Sequence, residues 1–336
     1  MGRKVTSHDV AELAGVSRSA VSLVLNGRAD GLISAENQQA VKEAAKQLGY
    51  RPNRVARSLR NSSTHTIGVI SDAILTGAFG GAMVTGATAR AAKDDYLLVV
   101  MGVDGEDPSA TDTIDALLAR QVDGLVYAAE ALHPWQPPNN FVAEPNVLMN
   151  AYDPDGKVSS VIADEVAGGY RATRLLLDAG HRDIIMLTGP ADYTATERRV
   201  AGFEQAVQEA GITAQRLECG WNIDDGLRLG SQILAADRPP TGIVCANDRV
   251  AAGVLLAAAR LGLRIPEDLS IVGYDDDPNV ARQLNLSTIS LPHREIGEQA
   301  MDLLLRQLEA EENSPQQLLI EGAVIERGSI AQPRSR

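Results

Sequence analysis

Aromatic residues and cysteines are scarce in this chain. Phe, Trp and Tyr make up only 4% of its 336 residues, so the hydrophobic 44% is mainly aliphatic. The two cysteines, Cys219 and Cys245, have neither the spacing of metal ligands nor the number that a disulfide framework needs. We interpret both as reduced thiols within the fold, and we expect no metal and no other cofactor.

Long hydrophobic runs are also absent. No stretch of the sequence reaches the roughly 18 consecutive apolar residues that a membrane-spanning helix requires. The opening residues, MGRKVTSHDVAEL, contain no long apolar segment of the kind found in secretory signals. We therefore expect a cytoplasmic protein with no membrane partner, and its length suggests about two domains.

Motifs of two large enzyme classes are missing as well. Neither G-x-S-x-G nor G-x-x-x-x-G-K-[S/T] occurs in the sequence, and we do not expect an enzyme. The carboxylates of Asp275, Asp276 and Asp277 are adjacent rather than spaced around a loop, as hard cations require. We expect no metal site there.

Basic residues are few overall but are concentrated near the start of the chain. The formal net charge is −13, yet residues 1–62 hold ten Lys and Arg against five Asp and Glu, which makes this segment +5. The rest of the chain therefore carries −18. A small basic segment on a large acidic body is typical of a protein that binds nucleic-acid phosphates at one end.

The basic segment has the signals of two short helices joined by a tight turn. Thr6 and Asp9 have the spacing of a capping box, and Gly15 suits a left-handed helix end. Ser17 is a good N-cap for a second helix, which we predict over residues 18–25. This pattern predicts a helix-turn-helix.

One face of the second helix has the side chains that recognise bases. Arg18 can reach guanine, Ser19 can bond a base edge or a phosphate, and Leu23 can contact a thymine methyl group. The residues at the start of a recognition helix are the ones that read bases, and this is where Arg18 and Ser19 stand. On these residues alone, a solvated helix face is an equally good interpretation.

A third helix is predicted from Ser34 to about Leu48, and an unusual basic segment follows it. In residues 51–60 an arginine recurs every three positions, and Pro52 disfavours helix at the residue before it. Residues 53–61 are too few and too charged to hold a helix alone. They either fold against DNA and a second copy of the chain or form a basic linker.

The stretches TSHDVAELAGVSRSAVSLVLNG, LGYRPNRVARSLR and TIGVI together resemble the LacI/GalR family of bacterial repressors, and the resemblance runs over nearly the whole chain. It implies that the second helix enters the major groove of operator DNA, with Arg18, Ser19 and Leu23 setting specificity. It also implies a hinge helix that lies in the minor groove as a homodimer, with Leu59 wedged into the central base step. The expected DNA-contacting residues are Thr6, Ser17, Arg18, Ser19, Ser22, Leu23, Asn26, Tyr50, Asn53, Arg54, Val55, Ala56, Arg57 and Leu59.

From residue 66 onward, strands alternate with helices, which predicts parallel sheets covered by helices. The predicted strands are Ile67–Ile70, Tyr96–Met101, Gly124–Tyr127, Val147–Met149, Asp183–Leu187, Gly242–Cys245 and Ser270–Tyr274, and the predicted helices include Ser109–Ala119, Gly168–Ala179, Arg198–Ala210 and Arg249–Leu261. Two such series predict two lobes with a cleft between them, and the resemblance implies the fold of periplasmic binding proteins.

The sequence therefore predicts a chain of several domains. It places an all-α helix-turn-helix head in residues 1–49, a hinge helix in 50–62, and a two-lobed α/β effector-binding and dimerisation domain in 63–336. Lobe 1 takes about 66–161 and 292–322, and lobe 2 takes about 162–291 and 323–332.

Polar side chains follow several predicted strands, where ligands bind in open α/β sheets. Asp, Asn and Arg supply the paired donors and acceptors that a polyol needs, and an aromatic ring can stack on a sugar face. We expect Arg199 to open the helix after the Gly189-Pro190 turn. The candidate effector residues are Asp72, Phe79, Asn150, Arg199, Trp221, Asn247 and Asp275. The positions of Arg199, Trp221, Asn247 and Asp275 also match those of the binding pocket in the family that the chain resembles. For each residue alone, a capping or loop role is the competing interpretation.

The sequence therefore predicts a nucleoid-associated regulator, most simply a repressor, that binds double-stranded operator DNA under the control of a small molecule. A sugar or sugar derivative is the first choice of effector, and a purine or nucleoside is the second. A solute-binding protein would explain only the body and would need an export signal in place of the head. Neither the effector nor the sign of its effect on DNA binding follows from the sequence.

Overall fold

The computed structural model describes residues 5–50, 63–72, 80–103, 110–309 and 314–334. It divides into two compact units, Met1–Thr64 and His65–Arg336. The predicted hinge residues Asn53, Arg54, Val55, Ala56, Arg57 and Leu59, and the candidate Phe79, lie outside the described residues. None of the described helices is long and apolar enough to cross a membrane.

Within residues 5–50, the smaller unit contains three helices, and the caps of the first helix and of the start of the second are those that the sequence predicts. The helices are α1 (Ser7–Ala14), α2 (Arg18–Leu25) and α3 (Ala35–Leu48). The Asp9 carboxylate accepts the Thr6 backbone N–H at 2.8 Å, and Gly15 ends α1 with φ 68°. The Ser17 hydroxyl accepts the Ala20 N–H at 3.1 Å. Because these signals are local, they fix the turn between α1 and α2 without help from the rest of the chain.

Small aliphatic side chains from all three helices form the core of this unit. Val10, Val21 and Val41 are at most 1% exposed and come one from each helix. The opposite side of α2 stays at the surface, where Arg18 and Ser19 are exposed. The core therefore fixes α2 so that its polar face is free to meet a partner.

The larger unit contains two parallel sheets, as predicted. The first has the order β11-β5-β4-β3-β1-β2, and all of its pairs are parallel. Its strands are β1 (Thr66–Ser71), β2 (Leu97–Gly102), β3 (Gly124–Pro134), β4 (Asn146–Tyr152), β5 (Ser160–Ala163) and β11 (Gln317–Ile320). The helices that follow its strands or pack on it are α4 (Gly80–Ala91), α5 (Thr111–Leu118), α6 (Asn139–Val142) and α11 (His293–Glu309).

The second sheet has the order β12-β10-β9-β8-β6-β7, with only the β10–β12 pair antiparallel. Its strands are β6 (Ile184–Thr188), β7 (Gln215–Glu218), β8 (Gly242–Cys245), β9 (Ser270–Asp275), β10 (Ser287–Ser290) and β12 (Val324–Ile325). Its helices are α7 (Glu165–Asp178), α8 (Thr194–Glu209), α9 (Ile223–Leu234) and α10 (Asp248–Arg260). We call the part around the first sheet the first lobe and the part around the second sheet the second lobe.

The central strands are continuous apolar runs because helices cover both faces of each sheet. Each lobe therefore has two buried clusters, one on each side of its sheet. The chain passes between the lobes after β5, between β10 and α11, and between β11 and β12. Because these three connections lie at one edge of the sheets, the lobes can form a cleft between their facing strand ends.

The structure corrects several predicted boundaries. Strand β3 runs to Pro134 rather than Tyr127, with an irregular register between Ala128 and His133. Asn150 lies inside β4, and Asp275 is the last residue of β9, so neither stands beyond its strand. Arg199 does not open its helix, because α8 begins at Thr194.

Candidate functional site

A cavity of about 220 Å³ lies between the two lobes. This is below the roughly 300–1,000 Å³ that small-molecule sites occupy, so the volume suits a ligand of a single ring. The lining combines acidic, basic, amide and aromatic side chains from both lobes: Glu130, Ala131, Leu132, Asn150, Glu165, Tyr193, Ala195, Arg199, Trp221, Asn247, Arg249, Asp275, Leu291 and His293.

Two lining residues, one from each lobe, hold left-handed backbone conformations. Asn150 in β4 has φ 57°, and Asp275 at the end of β9 has φ 104°. Such conformations cost a residue with a side chain about 1–3 kcal/mol, and they occur most often at ligand-binding and catalytic sites. Because both residues line the cavity, these conformations support a binding role for the cleft.

Arg199 is the central charged group of the site and is only 5% exposed. Its Nε and Nη2 donate to the two carboxylate oxygens of Glu165 at 2.7 and 3.1 Å, and its Nη1 donates to the Ala246 carbonyl at 2.6 Å. Nη2 also lies 3.6 Å from Oδ1 of Asp275, and the guanidinium carbon is 3.7 Å from the centroid of the Tyr274 ring. The arginine is thus held by a bidentate ion pair and an aromatic face.

Close packing of two helices brings Glu165 to Arg199. A Cβ at Gly169, one turn after Glu165 on α7, would lie 2.2 Å from the carbonyl oxygen of Arg199 on α8. Because only glycine permits this approach, the backbones of α7 and α8 come near enough for the carboxylate to reach the guanidinium. Both charged side chains are therefore buried, and the cost of removing them from water is offset only because they pair closely with each other.

Burial shifts the titration of several groups in this cluster. It lowers the pKa of Arg199, but the negative charge of Glu165 and its hydrogen bonds to the guanidinium outweigh this effect and raise the pKa overall. Burial also raises the pKa of Asp275 well above the ordinary value, although the Arg199 charge opposes the shift. The pKa of His293 falls to about 4, mainly through burial, so its imidazole is uncharged at neutral pH.

Trp221 forms an aromatic side of the cleft and is fixed from behind. A Cβ at Gly189 would lie 2.3 Å from Cζ2 of its indole, so the ring packs directly on the glycine backbone. The Asn247 amide donates to the Trp221 carbonyl at 3.0 Å, while its oxygen caps α10 by accepting the Val250 N–H at 2.8 Å. Tyr193 meets the indole edge-on, with ring centroids 5.5 Å apart.

The first lobe contributes polar groups from β3 and β4. The Asn150 amide nitrogen donates to the carbonyls of Ala129 and Glu130, each at 3.1 Å. Its side-chain oxygen is then the atom that can accept a hydrogen bond from a ligand. The Asp72 carboxylate accepts the Glu130 N–H at 3.1 Å and supports this strand without lining the cavity.

Five of the seven effector candidates line the cavity: Asn150, Arg199, Trp221, Asn247 and Asp275. Asp72 does not line it, and Phe79 lies outside the described residues. Sequence reasoning missed Glu165, Tyr193 and His293. Glu165 had one usable signal, because it opens a helix directly after a strand and the Asp164 cap, where polar residues often face a ligand.

On the smaller unit, the DNA candidates fall into two groups. Arg18 and Ser19 are exposed, whereas Ser22, Leu23 and Asn26 are half-buried. The Thr6 and Ser17 side chains serve the caps, the Asn26 amide donates to the Ser22 carbonyl at 2.6 Å, and Tyr50 packs on the core.

No group of side chains suited to hold a metal ion occurs among the described residues. In the aspartate run, Asp276 pairs with Arg327 at 2.7 Å and Asp277 with Arg249 at 3.4 Å.

Comparisons with known proteins agree with this architecture. Residues 6–53 match the model of bacterial regulatory proteins of the lacI family, and residues 173–330 match a periplasmic binding protein-like domain. The HTH-type transcriptional repressor PurR of Vibrio cholerae is 32% identical over 97% of this chain and 98% of its own length. The ribose operon repressor of Escherichia coli is 32% identical over 96% and 99%.

Solved structures give the same result. The lac repressor dimer bound to operator and the anti-inducer ONPF superposes with a TM-score of 0.77 at 29% identity, covering 98% of this chain and all of that one. A complex of the transcriptional regulator CelR with cellobiose superposes with a TM-score of 0.66 at 27% identity, over 97% of this chain and all of that one.

Proposed function

The chain belongs to the LacI family of bacterial regulatory proteins and is a DNA-binding transcriptional repressor with an effector-binding domain, and we propose that its effector is a monosaccharide or a close derivative held in the interlobe cavity. A homodimer in the cytoplasm, acting on double-stranded operator DNA, is part of this proposal. Family membership also argues against an enzyme.

The observation that carries the effector proposal is the pairing of one aromatic face with acceptors from both lobes. Trp221 offers its ring to an apolar sugar face, and the Asn150 oxygen and the Asp275 carboxyl offer acceptors for hydroxyl groups. A ligand in contact with both lobes stabilises one lobe arrangement over others. Its binding energy is thereby coupled to whatever depends on that arrangement.

The DNA-binding part of the proposal rests on α2 and extends to the segment that follows α3. Arg18 and Ser19 stand exposed at the start of α2, where a recognition helix contacts base edges. We propose that Leu23 adds an apolar contact and that Leu59, in the segment outside the described residues, enters a central base step as a wedge. Two copies on one near-palindromic site supply the base contacts that a single head lacks.

The experiment pairs DNA binding with a ligand panel. Fluorescence anisotropy of the full-length protein with the region upstream of its own gene gives operator affinity, with and without D-ribose, D-glucose, D-galactose, hypoxanthine, guanine and adenosine. A monosaccharide that shifts operator affinity in the wild type, and not in Trp221→Ala, supports the proposal. The same shift in both proteins would place the ligand elsewhere.

A purine is the second candidate. The observation favouring it is the similarity to repressors named PurR together with a flat aromatic side of the cleft. Hypoxanthine or guanine acting alone in the panel would replace the sugar, while the cleft and the operator would keep their roles.

A further inference from the structure

Both hydrogen-bonding edges of the Arg199 guanidinium are already occupied by the protein. The edge formed by Nε and Nη2 faces the two oxygens of Glu165, at 2.7 and 3.1 Å. On the other edge, Nη1 donates to the Ala246 carbonyl at 2.6 Å, and Nη2 approaches Asp275 at 3.6 Å. A carboxylate or phosphate ligand binds arginine through one of these two-donor edges. Neither edge is open in this arrangement.

The other charged groups of the cleft do not favour an anion either. Arg249 lies with its Nε 3.4 Å from Oδ2 of Asp277. Glu130 from the first lobe joins Glu165 and Asp275 in the lining, so three carboxyl groups face two guanidinium groups there. An anionic ligand would have to displace a bonded carboxylate from Arg199 while approaching others, which costs both the ion pair and like-charge repulsion.

We propose that Glu165 sets the charge class of the effector: by occupying Arg199 it makes the site accept uncharged or basic ring compounds and reject phosphorylated sugars and nucleotides. This inference rests on the proposed function, because it assumes that the interlobe cavity is the effector site. Position 165 is decisive because an uncharged side chain there would leave a buried arginine edge without its carboxylate. Such an edge is what an anionic ligand requires.

The test compares two matched pairs of ligands and two variants at position 165. Isothermal titration calorimetry at constant ionic strength measures D-ribose against D-ribose 5-phosphate and hypoxanthine against inosine 5′-monophosphate, with inorganic phosphate as the simplest anion. The full-length proteins are wild type, Glu165→Gln, Glu165→Asp and Glu204→Gln. Glu204 is exposed on the outer side of α8, where it pairs with Arg216, so its variant makes the same change of net charge away from the cleft.

We expect no binding of phosphate or of either phosphate ester by the wild type, Glu165→Asp or Glu204→Gln at millimolar concentration. Glu165→Gln should gain affinity for phosphate or ribose 5-phosphate by about tenfold or more. Wild type that binds an ester as well as its neutral parent would overturn the inference, and so would a folded Glu165→Gln protein with no gain. If Glu165→Gln does not fold, the comparison of each phosphate ester with its neutral parent, in wild type and in Glu165→Asp, still tests the inference.

Failure of the proposed effector class gives a different pattern. In that case neither ribose nor hypoxanthine would bind the wild type, while Glu165→Gln would still gain phosphate binding. The charge rule would then stand, and the uncharged or basic effector would have to be sought among other ring compounds.

Discussion

The guanidinium of Arg198 lies over the ring of Tyr152, with its central carbon 5.0 Å from the ring centroid. Arg198 is on α8 in the second lobe, and Tyr152 is the last residue of β4 in the first lobe. This cation–π contact therefore joins the two lobes beside the cavity, one residue from Arg199 on one side and two from Asn150 on the other. It is available only while the lobes are close.

Arg198→Ala should weaken effector binding without removing any group that lines the cavity. A partly exposed cation–π contact contributes about 0.5–1 kcal/mol, so we expect a loss of effector affinity of a few fold. Titration calorimetry with the effector found in the ligand panel measures it. Arg174→Ala is the control, because Arg174 bonds Asp178 within its own helix. Equal affinity losses in both variants would mean that the interlobe contact contributes nothing specific.

Gly189→Ala should impair effector binding through Trp221. The new Cβ would lie 2.3 Å from Cζ2 of the indole, so the ring must shift from its position against the cleft. Overpacking of this kind costs about 1–3 kcal/mol, and we expect it to appear in both thermal stability and effector affinity. Gly81→Ala in α4 is the control, since nothing lies within 4 Å of its Cβ position. An unchanged effector affinity in Gly189→Ala would show that the indole does not stack on the ligand.

The head could be predicted almost residue by residue because its signals are local. Thr6 with Asp9, Gly15, and Ser17 act within a few positions of themselves, and they mark both ends of α1 and the start of α2. The start of α8 was predicted wrongly for the opposite reason. Its N-cap is Tyr193, which forms no capping hydrogen bond through its side chain, so the sequence carries no marker there.

The cleft could be predicted only in part. Asn247 was predicted correctly to follow a buried strand, and Asp275, which was predicted to follow β9, is its last residue; topology alone brings such strand ends together. Glu165 carried only the signal of a polar residue after a strand, and its pairing with Arg199 could not be predicted, because Arg199 is 34 residues away on another helix. Their meeting requires the contact at Gly169, a property of packing rather than of periodicity.

Asp248 should make the stability of the protein fall as pH rises through the weakly acidic range. Burial raises its pKa from 3.8 to about 7, although hydrogen bonds from Thr288 and Asp277 oppose the shift. Between about pH 4 and 7 the unfolded chain releases this proton and the folded chain keeps it. The contribution of Asp248 to the unfolding free energy therefore decreases with pH in this window, by at most roughly 1.4 kcal/mol per pH unit.

Denaturant unfolding of wild type and Asp248→Asn from pH 4 to 8 measures this effect. The variant also loses an acceptor for Thr288 or Asp277, but that loss is nearly independent of pH, so only the slope is diagnostic. Asp268→Asn is the control and should leave the slope above about pH 5 unchanged, because hydrogen bonds from Arg264 lower the pKa of Asp268, so both the folded and the unfolded chain have already released this proton there. Parallel curves for wild type and Asp248→Asn would contradict the prediction.

Arg18→Ala should relax the base preference of the protein at one symmetric pair of operator positions. Arg18 is the first residue of α2 and is exposed, so its fork can reach the edge of a guanine in the major groove. Loss of such a contact costs about 1–3 kcal/mol at that base and little at the others. Selection of bound sequences from a randomised operator library measures the preference at each position, and anisotropy at several salt concentrations measures the slope.

Lys42→Ala is the matched control for charge, because Lys42 is exposed on α3 of the same unit. If Lys42 contacts DNA at all, it does so through phosphates. Its loss would then weaken all sequences alike and flatten the salt dependence by about one unit of slope. Arg18→Ala must instead change the ranking of sequences. If both variants keep the base preferences of the wild type and only their salt slopes change, Arg18 contacts the DNA phosphates. Base recognition would then belong to Ser19 and Leu23.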